Sequence, residues 1–195
     1  FVRSARSVYE TEVRLLALGT YKLQGAEVEK VVRTAIELGY RHVDTASVYD
    51  NEVEVGKAIN AAIAAGAVTR EELFIPTTLG TDRQTRAGQA YQESLDRLGL
   101  DFVDLYLVHW PCPQQGTYLQ AFEQITQLQG MGQLQSVGVA NFYEEVLDEV
   151  ISKTGVTPVV NQVELHAGFT QPELREYHAT PGIVAEASAP RARGE

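Results

Sequence analysis

The chain alternates short apolar, β-branched runs with longer segments of helical periodicity, about seven times in strict succession. In segment 25–40, apolar residues fall on one helical face, and Gly39 is a typical stop signal. Run 104–110, DLYLVHW, is apolar almost throughout, as strands buried on both faces usually are. Because no composition shift marks a linker, this alternation predicts one α/β domain in which helices cover a parallel sheet.

The expected elements follow from these periodicities. Strands are predicted at 14–19, 42–46, 72–80, 104–110, 135–142, 158–166 and 182–187. Helices are predicted at 25–40, 51–66, 85–100, 117–132, 144–155 and 171–179. Pro76 weakens its strand, because proline cannot donate to a ladder. The opening residues, FVRSAR, are expected to form a frayed terminus.

Polar side chains end almost every predicted strand: Thr20, Asp44, Thr77, His109, Asn141, Gln162 and Glu186. The first strand-to-helix turn carries no G-x-G-x-x-G, so an open dinucleotide-binding sheet has little support. A (β/α)8 barrel of the TIM type gathers the C-terminal ends of its strands into one site, and this favours the barrel. That fold typically needs ~250 residues. Residues 1–195 are therefore expected to form a single barrel domain, incomplete at the C-terminus, with the last strand–helix unit missing.

Composition limits the possible partners. The formal net charge of −10, from 26 acidic and 16 basic side chains, argues against nucleic acid or an anionic membrane. Cys112 is the only cysteine, so no intrachain disulfide can form and a reducing compartment is expected. No apolar run reaches membrane-spanning length, and the first residues lack a signal-peptide core. We expect a soluble, cytoplasmic protein. The four histidines lack metal-ligand spacing, so no metal site is predicted.

Asp44, Tyr49, His109, Asn141 and Gln162 would converge on one mouth of such a barrel. Each also has a purely structural interpretation. An aspartate at a strand end often belongs to a turn, a tyrosine there is more often packing, and a histidine is usually a satisfied core group. An asparagine can start a helix, and a buried glutamine can bond to backbone. Their shared position at strand ends favours a common site.

Four sequence blocks carry a more specific signal. They are GYRHVDTASVYDNEVEVGKAI, SLDRLGLDFVDLYLVHWP, SVGVANF and PVVNQVELH. In order and spacing they resemble the signature blocks of the aldo-keto reductases, and AEASAPR resembles the next block. The similarity covers about residues 14–195. It is strongest to small bacterial and fungal members of the diketogluconate reductase type.

The resemblance implies a site and a cofactor. The family reduces an aldehyde or ketone to an alcohol with NADPH, bound without a Rossmann domain. By position in the motifs, Tyr49 donates the proton, Asp44 supports it and His109 orients the carbonyl. Residues implied in cofactor binding are Thr20, Asp44, Asn141, Gln162 and Ser188. Residues implied in lining an apolar substrate pocket are Tyr21, Val48 and Trp110.

Two positions depart from the family pattern. Where the family has a catalytic lysine, in blocks such as FITTKL, this chain reads FIPTTL and Thr78 stands at that position. Thr78 supplies no charge beside Tyr49, and Asp44 is left without its expected partner, so it should be protonated or reach water. Ser188 stands where the family has an aromatic residue that stacks on the nicotinamide. The family's last strand and following loop, which grip the adenosine phosphate, are also not found.

Two functions remain open at this point. The first is an NADPH-dependent carbonyl reductase acting on a small molecule, impaired by loss of the lysine. The second is a non-catalytic barrel remnant that binds a ligand or associates with itself. A monomer is expected unless exposed sheet edges pair.

Overall fold

The structure, a computed structural model, describes residues 4–6 and 12–191, with side chains described from residue 15 onward. Its strands are β1 (Ser4–Arg6), β2 (Glu12–Arg14), β3 (Ala17–Gly19), β4 (His42–Asp44), β5 (Pro76–Leu79), β6 (Leu105–Val108), β7 (Ser136–Ala140), β8 (Val160–Glu164) and β9 (Val184–Ser188). Its helices are α1 (Gly25–Glu37), α2 (Glu52–Ala64), α3 (Ala87–Leu98), α4 (Tyr118–Gly130), α5 (Glu144–Thr154) and α6 (Pro172–Ala179).

Strands β3 to β9 follow one another in parallel. β3 pairs with β4, and β5 to β9 form a continuous ladder in sequence order. A parallel bridge from His42 to Phe74 joins the two groups, and the backbone N–H of Val43 donates to the carbonyl of Phe74 at 3.1 Å. Helices connect successive strands, as parallel pairing requires.

The sheet curls strongly. Gln162 on β8 donates through Nε2 to Oδ1 of Asp44 on β4 at 3.2 Å. Three strands separate β4 from β8 in the pairing order, so in a flat sheet these residues would lie about 19 Å apart at the usual ~4.8 Å spacing. The short contact therefore requires the two ends of the sheet to approach each other around a central lumen.

Alternation along the strands divides the core into two layers. Outward side chains such as Val43, Ile75 and Val139 pack under the helices in the larger cluster. A smaller cluster of buried residues occupies the lower lumen: Phe74, Leu105, Leu107, Val159 and Val160. Of the polar strand-end residues, Asp44 and Gln162 lie on the inward face above this cluster, whereas Thr77 faces α2.

Two expectations from the sequence are corrected. The opening segment is not simply frayed, because β1 pairs antiparallel with β2 in register Ser4 to Arg14. Strand β5 is shorter than the predicted 72–80, since residues 70–72 form a 3-10 turn closed by a capping box between Thr69 and Glu72. Pro76 is the first residue of β5, a position where its missing N–H costs no ladder bond.

Within the described residues, β3 and β9 each pair along one edge only. On β9, Ala185 and Ala187 are exposed whereas Val184, Glu186 and Ser188 are partly buried. The outward face of β9 is therefore less covered than its lumen face. No helix in the part of the chain that the structure describes is long and apolar enough to cross a membrane.

Candidate active site at the barrel mouth

Tyr49 lies on a short 3-10 turn, Ser47–Tyr49, directly after β4. Its ring lies 5.1 Å from the ring of Tyr21, centroid to centroid, and 6.2 Å from that of His109, which it meets edge-on at 78°. His109 follows β6, so the phenol and the imidazole come from different strands and meet at one mouth. The side chain of Gln24 donates to the Tyr49 carbonyl at 2.8 Å and fixes the turn from the other side.

Asn51 anchors the loops that carry this turn. It is fully buried, and its Nδ2 donates to the carbonyls of Thr20 at 2.9 Å and Leu23 at 3.0 Å. Its Oδ1 accepts from the hydroxyl of Thr45 at 3.0 Å. One side chain therefore ties the segment after β3 to the segment after β4. The residue before Asn51, Asp50, has a left-handed backbone with φ +54°.

Asp44 and Glu186 share one amide donor. Nε2 of Gln162 donates to Oδ1 of Asp44 at 3.2 Å and to Oε1 of Glu186 at 2.7 Å. Gln162 and Glu186 are cross-strand neighbours on β8 and β9. No ion pair joins either carboxylate to a cation among the described residues. Among the described residues, the two acidic groups of the lumen mouth therefore have no cation paired with them.

This environment perturbs Asp44. Its side chain is buried, with 8% of its surface exposed. Burial, and secondarily the charge of Glu186, raises the pKa of Asp44 from 3.8 to about 8, against the opposing hydrogen bond from Gln162. The carboxyl group is therefore largely protonated at neutral pH. This agrees with one of the two alternatives expected for an aspartate that lacks a cationic partner.

Tyr49 and His109 are held in their neutral forms. Burial, the Asp44 carboxylate and then Tyr21 raise the pKa of Tyr49 above its ordinary value. Burial lowers the pKa of His109. A neutral phenol beside a neutral imidazole can donate hydrogen bonds to an incoming carbonyl oxygen. The phenol is a weak acid here, because no cation among the described residues lowers its pKa.

Thr78 faces the lumen. The next side chain, Thr77, points outward, where its hydroxyl donates to Glu52 Oε1 of α2 at 2.6 Å. Thr78 must therefore point inward, because adjacent strand residues face opposite sides. It is 2% exposed, and its hydroxyl has no hydrogen-bond partner among the described residues. The position assigned to the family lysine thus holds a short, unpaired hydroxyl.

The remaining predicted cofactor residues lie around the same mouth. Asn141, in a left-handed conformation with φ +63°, donates through Nδ2 to the His109 carbonyl at 2.8 Å. The Thr20 hydroxyl donates to the Asp44 carbonyl at 3.0 Å, so it supports the strand end. Ser188 ends β9, and its carbonyl accepts from the Leu165 N–H at 3.3 Å. The side-chain oxygens of Asn141 and Gln162 accept no hydrogen bond from any described residue.

The rim of the mouth is apolar and open. The three residues predicted to line a substrate pocket are among the most exposed large apolar side chains: Tyr21 at 54%, Val48 at 51% and Trp110 at 48%. Soluble domains usually bury such groups, and an exposed cluster beside polar residues is typical of a binding surface. The described residues contain no group of three or more histidine, cysteine, aspartate or glutamate side chains that could hold a metal ion.

Three side chains that shape this site had no predicted functional role: Gln24, Asn51 and Glu186. Glu186 was recognisable as a polar strand end two residues before Ser188, on the same strand face. Asn51 carried a weaker signal, an amide next to a helix start. Gln24 carried none, because its bond to the Tyr49 carbonyl depends on how two loops meet.

Comparison with known proteins places this arrangement in a family. The model of the aldo/keto reductase family matches residues 15–194. An aldo-keto reductase from Mycobacterium avium is 46% identical over 183 residues, covering 93% of this chain and 63% of the relative. Methylglyoxal reductase DkgA from Salmonella typhimurium is 46% identical over 179 residues, covering 92% of this chain and 64% of the relative. The chain therefore spans less than two thirds of the length of these relatives.

Solved structures agree with these sequence matches. An aldo/keto reductase from Brucella melitensis superposes with a TM-score of 0.93 at 36% identity, over 98% of this chain and 74% of that one. The Bombyx mori aldo-keto reductase, crystallised with NADP, gives 0.88 at 35% identity over 96% of this chain and 66% of that one. The predicted α/β barrel-type fold is confirmed. With a family model matched along nearly its whole length, this chain belongs to the aldo/keto reductase family.

Proposed function

We propose that this chain is the catalytic part of an NADPH-dependent reductase that converts a small aldehyde or ketone to an alcohol. The observation that carries the proposal is the meeting of Tyr49 and His109, from separate strands, beside the buried carboxyl of Asp44. Family membership supplies the reaction class. The similarity to a methylglyoxal reductase makes small dicarbonyl compounds the first substrates to test.

The donor and acceptor set at the mouth fits a nicotinamide. When bound, NADPH would supply the hydride that reduces the carbonyl carbon. The side-chain oxygens of Asn141 and Gln162 are unused acceptors, and a carboxamide N–H₂ offers two donors. Asn141 also fixes the carbonyl of His109, so the cofactor subsite and the carbonyl-orienting residue are mechanically joined. Ser188, at the end of β9, offers a hydroxyl but no ring face on which the nicotinamide could stack.

In this proposal the chain's own residues bind and protonate the substrate oxygen. Tyr49 donates its phenolic proton to the oxygen that becomes negative, and neutral His109 donates a hydrogen bond to the same oxygen. The Ser47–Tyr49 turn and the neighbouring loops are held in place by Asp44, Gln24 and Asn51. Tyr21, Val48 and Trp110 exclude water from the apolar part of the substrate. The raised pKa of Tyr49 predicts a slow proton transfer.

Thr78 is the residue that limits the rate in this scheme. A lysine at this lumen-facing position would place a cation near Tyr49 and Asp44, lowering the pKa of both groups. We expect Thr78→Lys to increase NADPH oxidation with methylglyoxal by about 10²-fold. Thr77→Ser, at the neighbouring outward position, is the matched control and should leave the rate nearly unchanged.

Two measurements test the proposal. Trp110 is the only tryptophan and lies at the mouth, so NADPH should change its emission with weak, saturable affinity. Tyr49→Phe should keep this change while reducing turnover by about 10²–10⁴-fold. A flat titration up to millimolar NADPH would contradict the cofactor assignment. Undiminished turnover in a folded Tyr49→Phe variant would contradict the role of the phenol.

A second candidate is a non-catalytic barrel that binds a ligand or a second copy of itself. The observation that favours it is the lumen without a cation, together with one unpaired edge on each of β3 and β9 among the described residues. This candidate predicts no NADPH response and no gain of turnover in Thr78→Lys. Concentration-dependent sedimentation would then report self-association through the strand edges.

A further inference from the structure

The lumen contains three oxygen-bearing side chains, Asp44, Glu186 and Thr78, whose hydrogen-bonding capacity the described residues fill only in part or not at all. Alternation fixes their direction. Thr77 bonds outward to α2, and Asn161 bonds outward to the carbonyl of Phe142 at 2.7 Å. Their neighbours Thr78 and Gln162 therefore face inward. Asp44 faces the same space, because Gln162 reaches it directly.

Each group has an unused acceptor. Oε2 of Glu186 is buried and has no hydrogen-bond partner among the described residues, and the same holds for the hydroxyl of Thr78. In the described part of the chain, the side-chain oxygens of Asp44 receive only one hydrogen bond, from an N–H of the Gln162 amide. A buried acceptor without a donor costs roughly 1–3 kcal/mol, more when it carries charge. The hydrogen-bonding capacity of these groups is thus poorly satisfied by the protein alone.

We propose that Asp44, Glu186 and Thr78 form a binding site for the ammonium group of a small primary alkylamine. A primary ammonium offers three N–H donors and one positive charge. When Asp44 is ionised, the site offers two carboxylates and one hydroxyl, so the donors and acceptors match in number and the charge is opposite. The Gln162 amide fixes both carboxylates by its two bonds and does not compete for the ligand.

A divalent metal fits these groups less well. Calcium and magnesium need about six or more oxygen ligands, whereas this cluster offers two carboxylates and one hydroxyl. No group of three or more potential ligand side chains exists among the described residues. The site shares Asp44 with the proposed catalytic centre, but it uses neither of the acceptors proposed for the nicotinamide carboxamide, the amide oxygens of Asn141 and Gln162. Ammonium binding depends on the lumen geometry and requires no bound cofactor.

The test is thermal unfolding of the whole chain with ethylammonium chloride. At about pH 9 the amine stays charged, since its pKa is close to the ~10.4 of lysine, and Asp44, with a pKa of about 8, is ionised. An amine concentration about fivefold above Kd should raise Tm by roughly 2–4 °C. Sodium chloride and tetramethylammonium chloride at equal ionic strength are the controls, because neither offers an N–H donor.

Substitutions show which residues bind the amine. Glu186→Gln removes one carboxylate and should weaken amine binding by at least about 10-fold, and Thr78→Lys should abolish it by placing its own ammonium in the site. Glu123→Gln removes the same charge from an exposed face of α4 and should keep the full shift. Saturation-transfer NMR with ethylammonium reports binding directly if a variant's Tm changes.

The outcomes are distinct from those of the reductase assay, since no nicotinamide is present. An ethylammonium shift no larger than that of tetramethylammonium would overturn the site. So would a full shift in folded Glu186→Gln and Thr78→Lys. Amine binding without turnover would leave this inference standing while the proposed reductase activity failed.

Discussion

Asp44→Asn should stabilise this protein at alkaline pH, although the substitution removes a side chain of the candidate site. The asparagine keeps an oxygen that can accept from Gln162, and it carries no charge. In the native chain the carboxyl group is buried beside Glu186, and its pKa is raised from 3.8 to about 8. The carboxylate form is therefore more costly in the folded state than in the unfolded state.

The pH dependence has a definite sign. Because the folded-state pKa is the higher one, the folded chain binds this proton more tightly, and its stability is greatest below about pH 4 with respect to this group. Stability falls as the pH rises from about 4 to about 8 and is then constant. At ~1.36 kcal/mol per unit, a shift of about four units sets a ceiling of about 6 kcal/mol. Solvent at the open mouth reduces this free-energy difference, and we expect a loss of stability of about 2–4 kcal/mol.

The assay is urea unfolding of both proteins at about pH 5 and about pH 9, followed by far-UV circular dichroism. The advantage of Asp44→Asn should be small at the lower pH and should grow to about 2–4 kcal/mol at the higher one. Glu52→Gln is the control. This buried carboxylate is paired with Arg97 at 2.7 Å, so its loss should destabilise at both pH values. An Asp44→Asn variant that is no more stable than the native chain at pH 9 would refute the reasoning.

Three further substitutions test the packing that holds the site. Gly56→Ala should destabilise by about 3 kcal/mol in urea unfolding, since its Cβ would lie 2.1 Å from the Leu98 carbonyl oxygen. Gly88→Ala, with nothing within 4 Å, should instead stabilise by up to ~1 kcal/mol. Asn51→Ala should cost about 2–4 kcal/mol in the same assay and reduce turnover, because two carbonyls lose their donor. Equal unfolding midpoints for the two glycine variants, or a fully active Asn51→Ala, would contradict these contacts.

Much of the fold could be predicted because its signals are local. The predicted helix 25–40 and α1 end within one helical turn of each other. This boundary was predictable because hydrophobic periodicity and a glycine stop signal involve only neighbouring residues. Strand β5 was predicted too long, because the apolar residues 73–75 continue the strand-like pattern although only Phe74 makes a bridge there. The pairing of β1 with β2 was not predicted, since it joins segments without a strong alternating pattern.

The candidate site was predictable only in outline. Strand-end position identified Asp44, His109 and Gln162 as residues of one mouth, because parallel strands present their carboxyl ends on the same side. The roles of Gln24 and Asn51 were not predictable. They depend on hydrogen bonds between loops that are 25 or more residues apart in sequence.

The sequence by itself determined the order and type of the elements from β3 to β9, the face on which their side chains lie, and the absence of a lysine at position 78. All of these follow from residue identity and local periodicity. Only the tertiary structure decided that Gln162 joins Asp44, 118 positions earlier, to Glu186. It also decided that burial, rather than a charged partner, sets the protonation of the mouth. Desolvation and sheet curvature depend on contacts throughout the fold, so no local sequence pattern predicts them.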